Sequence, residues 1–173
     1  MKPQDILVTL KILSLNEKAA DGSAVWPQRL LAEETGLSLS EVNAACRRLQ
    51  EAGILTSERR KVIRSSLLEF LIHSLKYVFP VTMGKPSRGM PTGYAAAPLR
   101  DMFLASEEEM PPVWPDADGP VRGMALKPLY KSVPMAARKD ATLYEYLVLV
   151  DAIRGGRARE RKAATDILKD RLG

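Results

Sequence analysis

The chain has one cysteine, Cys46, and one histidine, His73, among its 173 residues. A single thiol excludes an intrachain disulfide and a thiolate metal cluster. With a single imidazole it also excludes the common multi-Cys and multi-His zinc sites. No hydrolytic triad can be assembled convincingly around one histidine, and nothing marks a carboxylate-only or lysine mechanism. Long apolar runs are lacking too: the longest fall far below the roughly 18 residues a membrane span needs. At the N-terminus, Asp5 and Lys11 interrupt the apolar run of MKPQDILVTLKILSL and no small-residue cleavage site follows, which argues against a signal peptide. Gly84, Gly89 and Gly93 lack the GK[ST] ending and the strand-to-helix setting of a phosphate loop. The expectation is a cytoplasmic protein that is not an enzyme, with no metal and no cofactor.

What the chain does hold is ordinary for a globular protein, with 46% hydrophobic and 27% charged residues. Its length suits one domain, or a small domain plus an extension. The net charge is +5 and the pI about 9.4, which favours an anionic partner. Residues 1–79 carry 11 basic and 9 acidic side chains, 80–135 carry 6 and 6, and 136–173 carry 9 and 6. The positive charge therefore sits at the two ends.

The best-specified stretch is Leu30 to Leu55, LLAEETGLSLSEVNAACRRLQEAGIL. Before it, residues 3–17 predict a helix with Pro3 in the first turn and an apolar face of Ile6, Leu7, Leu10, Leu13 and Leu15. Asp21-Gly22-Ser23 is a turn cluster. Pro27 starts a second helix and Gly36 stops it. Ser38 and Glu41 form the S-x-x-E box that opens a third, over 39–52. Val42, Ala45, Cys46 and Leu49 fall on one stripe at spacings of three and four, which should pack against the first two helices. Ser40, Asn43, Ala44, Arg47 and Arg48 hold the opposite stripe. Gly53 ends the helix, and Arg59, Arg60, Lys61 and Arg64 then sit in a short basic turn between two brief strands.

Ser66 and Glu69 read as a second capping box opening a helix over 66–79, so apolar that it should be buried in the chain or in a dimer. From Pro80 to Pro134 lie ten of the twelve prolines and five of the eleven glycines. Tyr94, Leu99, Phe103, Val113, Trp114 and Leu126 lie there too, more large apolar residues than a disordered linker carries. An ordered, irregular wrap over 80–135 is expected, with a hairpin-like turn at Asp116–Gly119 and an exposed tip at Glu107–Glu109. Residues 141–154 predict a helix that is apolar nearly all round, and this helix and 66–79 are the candidates for a dimer interface. Gly155-Gly156 breaks the 141–154 helix, and a last helix covers 157–172. The fold class is mainly α, with residues 1–64 as one domain and 65–173 as a helical, Pro/Gly-rich extension for dimerisation.

The stretch 30–55 resembles the helix-turn-helix of winged-helix transcriptional regulators, particularly the MarR type. Leu31, Ala32, Gly36, Leu37 and Ser38, then Val42, Leu49, Gly53, Ile54 and Leu55, carry the likeness. It covers about 26 residues, or roughly 60 with the first helix and the wing. It implies a sequence-specific, dimeric regulator, a repressor, with helix 39–52 in the major groove of double-stranded DNA. Carried over by position, Ser40, Asn43, Ala44 and Arg47 would read bases, with Arg48 beside them. Arg59, Arg60, Lys61 and Arg64 would form a basic wing on the phosphates. The short wing and all of 80–173 depart from the MarR pattern.

Other readings stand beside these. Arg157, Arg159, Arg161 and Lys162 form a second basic cluster, which opposes the macrodipole of the helix it opens unless an anion or acidic side chain compensates. Nucleic acid, an acidic partner, or pairing with Glu107–Glu109 would each serve. Cys46 reads as a small buried hydrophobe rather than a redox sensor. His73 with Glu69 reads as surface or interface hydrogen bonding, and Trp114 as core before pocket lining. The alternative function is an antitoxin-like or adaptor module whose residues 80–173 hold a protein partner.

Overall fold

The computed structural model describes residues 1–19, 25–57, 61–103 and 109–173. It is mostly helical with one small three-stranded sheet. Two compact units are present: residues 1–67 with 129–144, and 68–128 with 145–173.

The first unit is built on α1 (Pro3–Lys18), α2 (Gln28–Thr35) and α3 (Leu39–Glu51), completed by α6 (Val133–Lys139) and the start of α7 (Ala141–Gly155). α1 is buried all round from Asp5 to Ser14, not along one face as its periodicity predicts. Its polar residues must therefore find partners. Asp5 accepts two hydrogen bonds from Nε and Nη2 of Arg48, at 2.9 and 2.6 Å. Thr9 Oγ1 donates to the Asp5 carbonyl at 2.9 Å. Lys11, 1% exposed, reaches Glu34 at 2.9 Å and Asp140 at 2.6 Å. Asp140 also accepts from Ser14 Oγ at 2.5 Å, Lys18 Nζ at 2.7 Å and the Leu143 N–H at 3.1 Å. The last bond makes it the cap of α7. Burial pushes the Asp140 carboxyl up, and the donors Lys11, Lys18, Ser14 and Leu143 more than reverse this, holding it far below the usual carboxylate range.

The second unit begins within a helix that differs from the expected 66–79. It starts at Arg64, so Ser66 and Glu69 lie inside it rather than at a cap: α4 (Arg64–Glu69), a π turn (Phe70–Ser74) and α5 (Leu75–Val78) follow one another. The Leu75 N–H bonds to the Phe70 carbonyl, one residue further back than in an α-helix. Only Leu67, Leu71 and Leu75 are buried, while Tyr77 and Val78 are 74% and 46% exposed. The expected burial of this helix is thus confined to one narrow stripe.

The stretch 80–135 is ordered where described, but it is not simply an irregular wrap. It holds β1 (Met83–Pro91), β2 (Pro112–Pro115) and β3 (Val121–Leu126), each paired with the other two. β1 runs antiparallel to both, with Gly89 opposite Pro115 and Val121. The Asp116–Gly119 turn forms, with the Asp118 N–H on Asp116 Oδ1 and the Gly119 N–H on the Asp116 carbonyl, both at 3.0 Å. The strands it joins run parallel, however, so the hairpin expectation is corrected. Glycine permits this closeness. A Cβ on Gly89 would stand 2.1 Å from the Trp114 carbonyl oxygen, and one on Gly123 would stand 2.0 Å from that of Pro111. On α7, residues 146–153 are all buried. Asp151 is among them and accepts from Thr92 Oγ1 (2.8 Å), Trp114 Nε1 (2.6 Å) and Arg154 Nη1 (2.7 Å). α8 (Ala158–Leu172) closes the chain. The Asp21–Ser23 turn and the Glu107–Glu108 part of the acidic tip lie outside the described residues. Among the described residues no helix is long and apolar enough to cross a membrane.

Candidate nucleic-acid interface

α2 and α3 are joined by a three-residue turn, Gly36 to Ser38. Gly36 takes φ +69°, the left-handed region where glycine alone is unstrained. Ser38 then caps α3: its Oγ accepts from the Glu41 N–H at 3.2 Å and its own N–H reaches Glu41 Oε2 at 2.9 Å. Hydrogen bonds from Ser38, backbone first, hold the Glu41 carboxyl below its usual range. The inner stripe, Val42, Ala45, Cys46 and Leu49, is buried. Packing thus fixes which way the helix is turned, and Ser40, Asn43 and Arg47 are left exposed on the other side, with Ala44 half-buried among them.

Arg48 is placed differently. Its bidentate pair with the fully buried Asp5 ties α3 to α1, and hydrogen bonding to Asp5 raises its already high pKa. The guanidinium is committed to the fold.

The wing has a short base. The Ile63 N–H meets the Ile54 carbonyl at 2.8 Å, the Thr56 N–H meets that of Lys61 at 2.9 Å, and Leu55 bridges Val62. Gln50 Nε2 also reaches the Ser57 carbonyl at 3.1 Å, tying this base to the end of α3. Lys61 is half-buried at its edge, and Arg64 is exposed at the start of α4. Arg59 and Arg60 lie outside the described residues.

Residues 27–56 match the family model of winged helix-turn-helix DNA-binding domains. The match supports a DNA-binding regulator and puts α2, the turn, α3 and the first wing residues inside a motif whose second helix serves as the reading element. No curated protein and no solved structure matches the chain.

Five residues of this region are not signalled by the motif. Gln28 Nε2 lies 3.4 Å from Asn43 Oδ1, so the start of α2 borders the exposed face of α3. Tyr130 donates its hydroxyl to Glu41 Oε1 at 3.2 Å, and the exposed Lys131 follows it, its charge felt at Glu41. Ser132 Oγ bonds the Thr35 carbonyl at 2.6 Å, and Met135 covers Gly36. A segment about 90 residues downstream therefore braces the turn and places a cation beside the N-terminal end of α3.

The second basic cluster belongs to the other unit. Arg157 pairs with Glu109, and Lys162 with Asp166 at 2.7 Å. Arg159 and Arg161 are exposed, with no ion pair among the described residues. His73 and Glu69 are both exposed. Among the described residues no group of three or more His, Cys, Asp or Glu could hold a metal ion.

Proposed function

We propose that the chain is a sequence-specific transcriptional regulator of the MarR type, a cytoplasmic repressor that binds double-stranded DNA as a homodimer. One observation carries the reading: within the matched segment, packing of Val42, Ala45, Cys46 and Leu49 leaves Ser40, Asn43 and Arg47 exposed together on α3. Arg47 suits a bidentate contact to guanine and Asn43 one to adenine, each worth roughly 1–3 kcal/mol of discrimination. Lys61, Arg64 and the wing residues Arg59 and Arg60 supply phosphate contacts, and Lys131 adds another beside the N-terminal end of α3. The dimer interface is assigned to the helix 64–78, where Tyr77 and Val78 stand exposed. The buried residues 146–153 have no surface to offer one.

A mobility-shift titration on the DNA upstream of the gene tests the proposal. A discrete complex that outcompetes random duplex supports it, whereas equal, weak affinity for both sinks the sequence-specific part. The adaptor reading draws on the second unit, whose own buried centre around Trp114 and Asp151 is separate from the motif. Co-purification of a stable protein partner, unaffected by Arg47→Ala, would favour it.

A further inference from the structure

The second unit contains a cavity of about 460 Å³, the size of a small-molecule site. Its walls are apolar and adaptable, with Met83, Met110, Met124 and Leu126 prominent. Methionine suits irregular and aromatic ligands because its side chain is flexible and polarisable.

The pairing of the polar lining groups is uneven. Asp151 is internally satisfied: Arg154 neutralises it, and Thr92 and Trp114 fill its other oxygen. Glu109 and Glu160, by contrast, share one lining cation, Arg157. The Arg157 guanidinium goes to Glu109, and only the Arg157 backbone N–H, at 3.0 Å, reaches Glu160. Glu160 is 8% exposed and makes no ion pair among the described residues. The dipole at the start of α8 offsets only about half a charge. Tyr94, also lining the cavity, has no hydrogen bond among the described residues. Tyr94, Glu109 and Glu160 line the same cavity, and burial first, then the charges of Glu109 and Glu160, raises the pKa of the Tyr94 phenol.

We propose that this cavity binds a small, apolar, aromatic cation, its ammonium group seated between Glu160, Glu109 and the Tyr94 oxygen and its ring among the methionines. A buried carboxylate without a cation is costly, and such a ligand supplies the missing charge. An anion of the same shape meets two carboxylates and is rejected. The inference does not rest on the DNA-binding reading.

Isothermal titration of the full chain with tryptamine and with indole-3-propionate, matched in ring and opposite in charge, tests it. Tryptamine is expected to bind saturably, one per chain, and indole-3-propionate not to bind. Glu160→Gln should weaken tryptamine about tenfold or more, as expected for loss of a charged hydrogen-bond partner. Glu109→Gln, at an exposed position that leaves folding intact, should weaken it in the same direction by freeing Arg157 for Glu160. Equal binding of both compounds, binding of neither, or tryptamine binding unchanged in both variants overturns the proposal.

Discussion

Asp140→Asn is the sharpest perturbation of the first unit. The change keeps the shape and keeps an acceptor for the Leu143 N–H, so the cap on α7 survives. It removes the charge that faces Lys11, Lys18 and Ser14. Breaking a buried pair by removing one partner costs about 3–5 kcal/mol. Glu34 still reaches Lys11 at 2.9 Å, and Lys18 is half exposed and can return to water, so a loss of about 3 kcal/mol is expected at pH 7. For a chain of this size that corresponds to a fall in Tm of about 6–12 °C. The pH dependence gives a second check. The folded carboxyl titrates well below the unfolded value of about 3.9, so its contribution is complete above that value and is lost as pH falls through the folded pKa. The gap between wild type and variant should therefore narrow steadily below about pH 4. Urea unfolding followed by circular dichroism at pH 7, 4 and 3 measures both. A loss under about 1 kcal/mol at pH 7, or a gap unchanged at pH 3, would refute the claim that this carboxylate holds the unit together.

Other predictions separate reading from folding. Arg47→Ala should relax base preference by roughly 1–3 kcal/mol at one position without changing stability, measured by competition among operator variants. Arg48→Ala should instead lower stability by about 2 kcal/mol, because it strands the buried Asp5, and unfolding curves would show this. Lys131→Ala should weaken all duplexes alike and reduce the log–log salt slope by about 0.9, seen by anisotropy titration across salt concentrations; an unchanged slope means Lys131 touches no phosphate. Gly36→Ala should cost about 1–2 kcal/mol from its left-handed backbone. The new Cβ would also stand 2.4 Å from Met135 Cε, so adding Met135→Ala should recover part of the lost Tm.

How far the sequence could be read depended on whether its cues were local. The turn between α2 and α3 was legible because Pro27, Gly36, the Ser38–Glu41 box and Gly53 act within a few residues of themselves. The same reasoning misplaced a helix start at Ser66, since Ile63 already accepts the Leu67 N–H and the helix is under way. The strands in 83–126 were hidden for another reason. Pro86, Pro112 and Pro115 and the close-approach glycines replace the alternating pattern that marks a half-buried strand. The partners of Asp5 and Lys11 were invisible because charge in a helical pattern reads as surface. Only Arg48 and Asp140, distant in sequence, show that it is core. The same distance hid Tyr130 and Lys131 from any motif.

The pairing of Lys11 with Asp140 spans 129 residues, and this sets an order of events during synthesis. α3 leaves the ribosome well before the carboxylate that neutralises the centre of its unit is made. At synthesis rates of about 5–20 residues per second, Lys11 waits roughly 6–26 s for that partner. A nascent chain that stops short of Asp140 thus carries the whole motif without a settled frame to hold it.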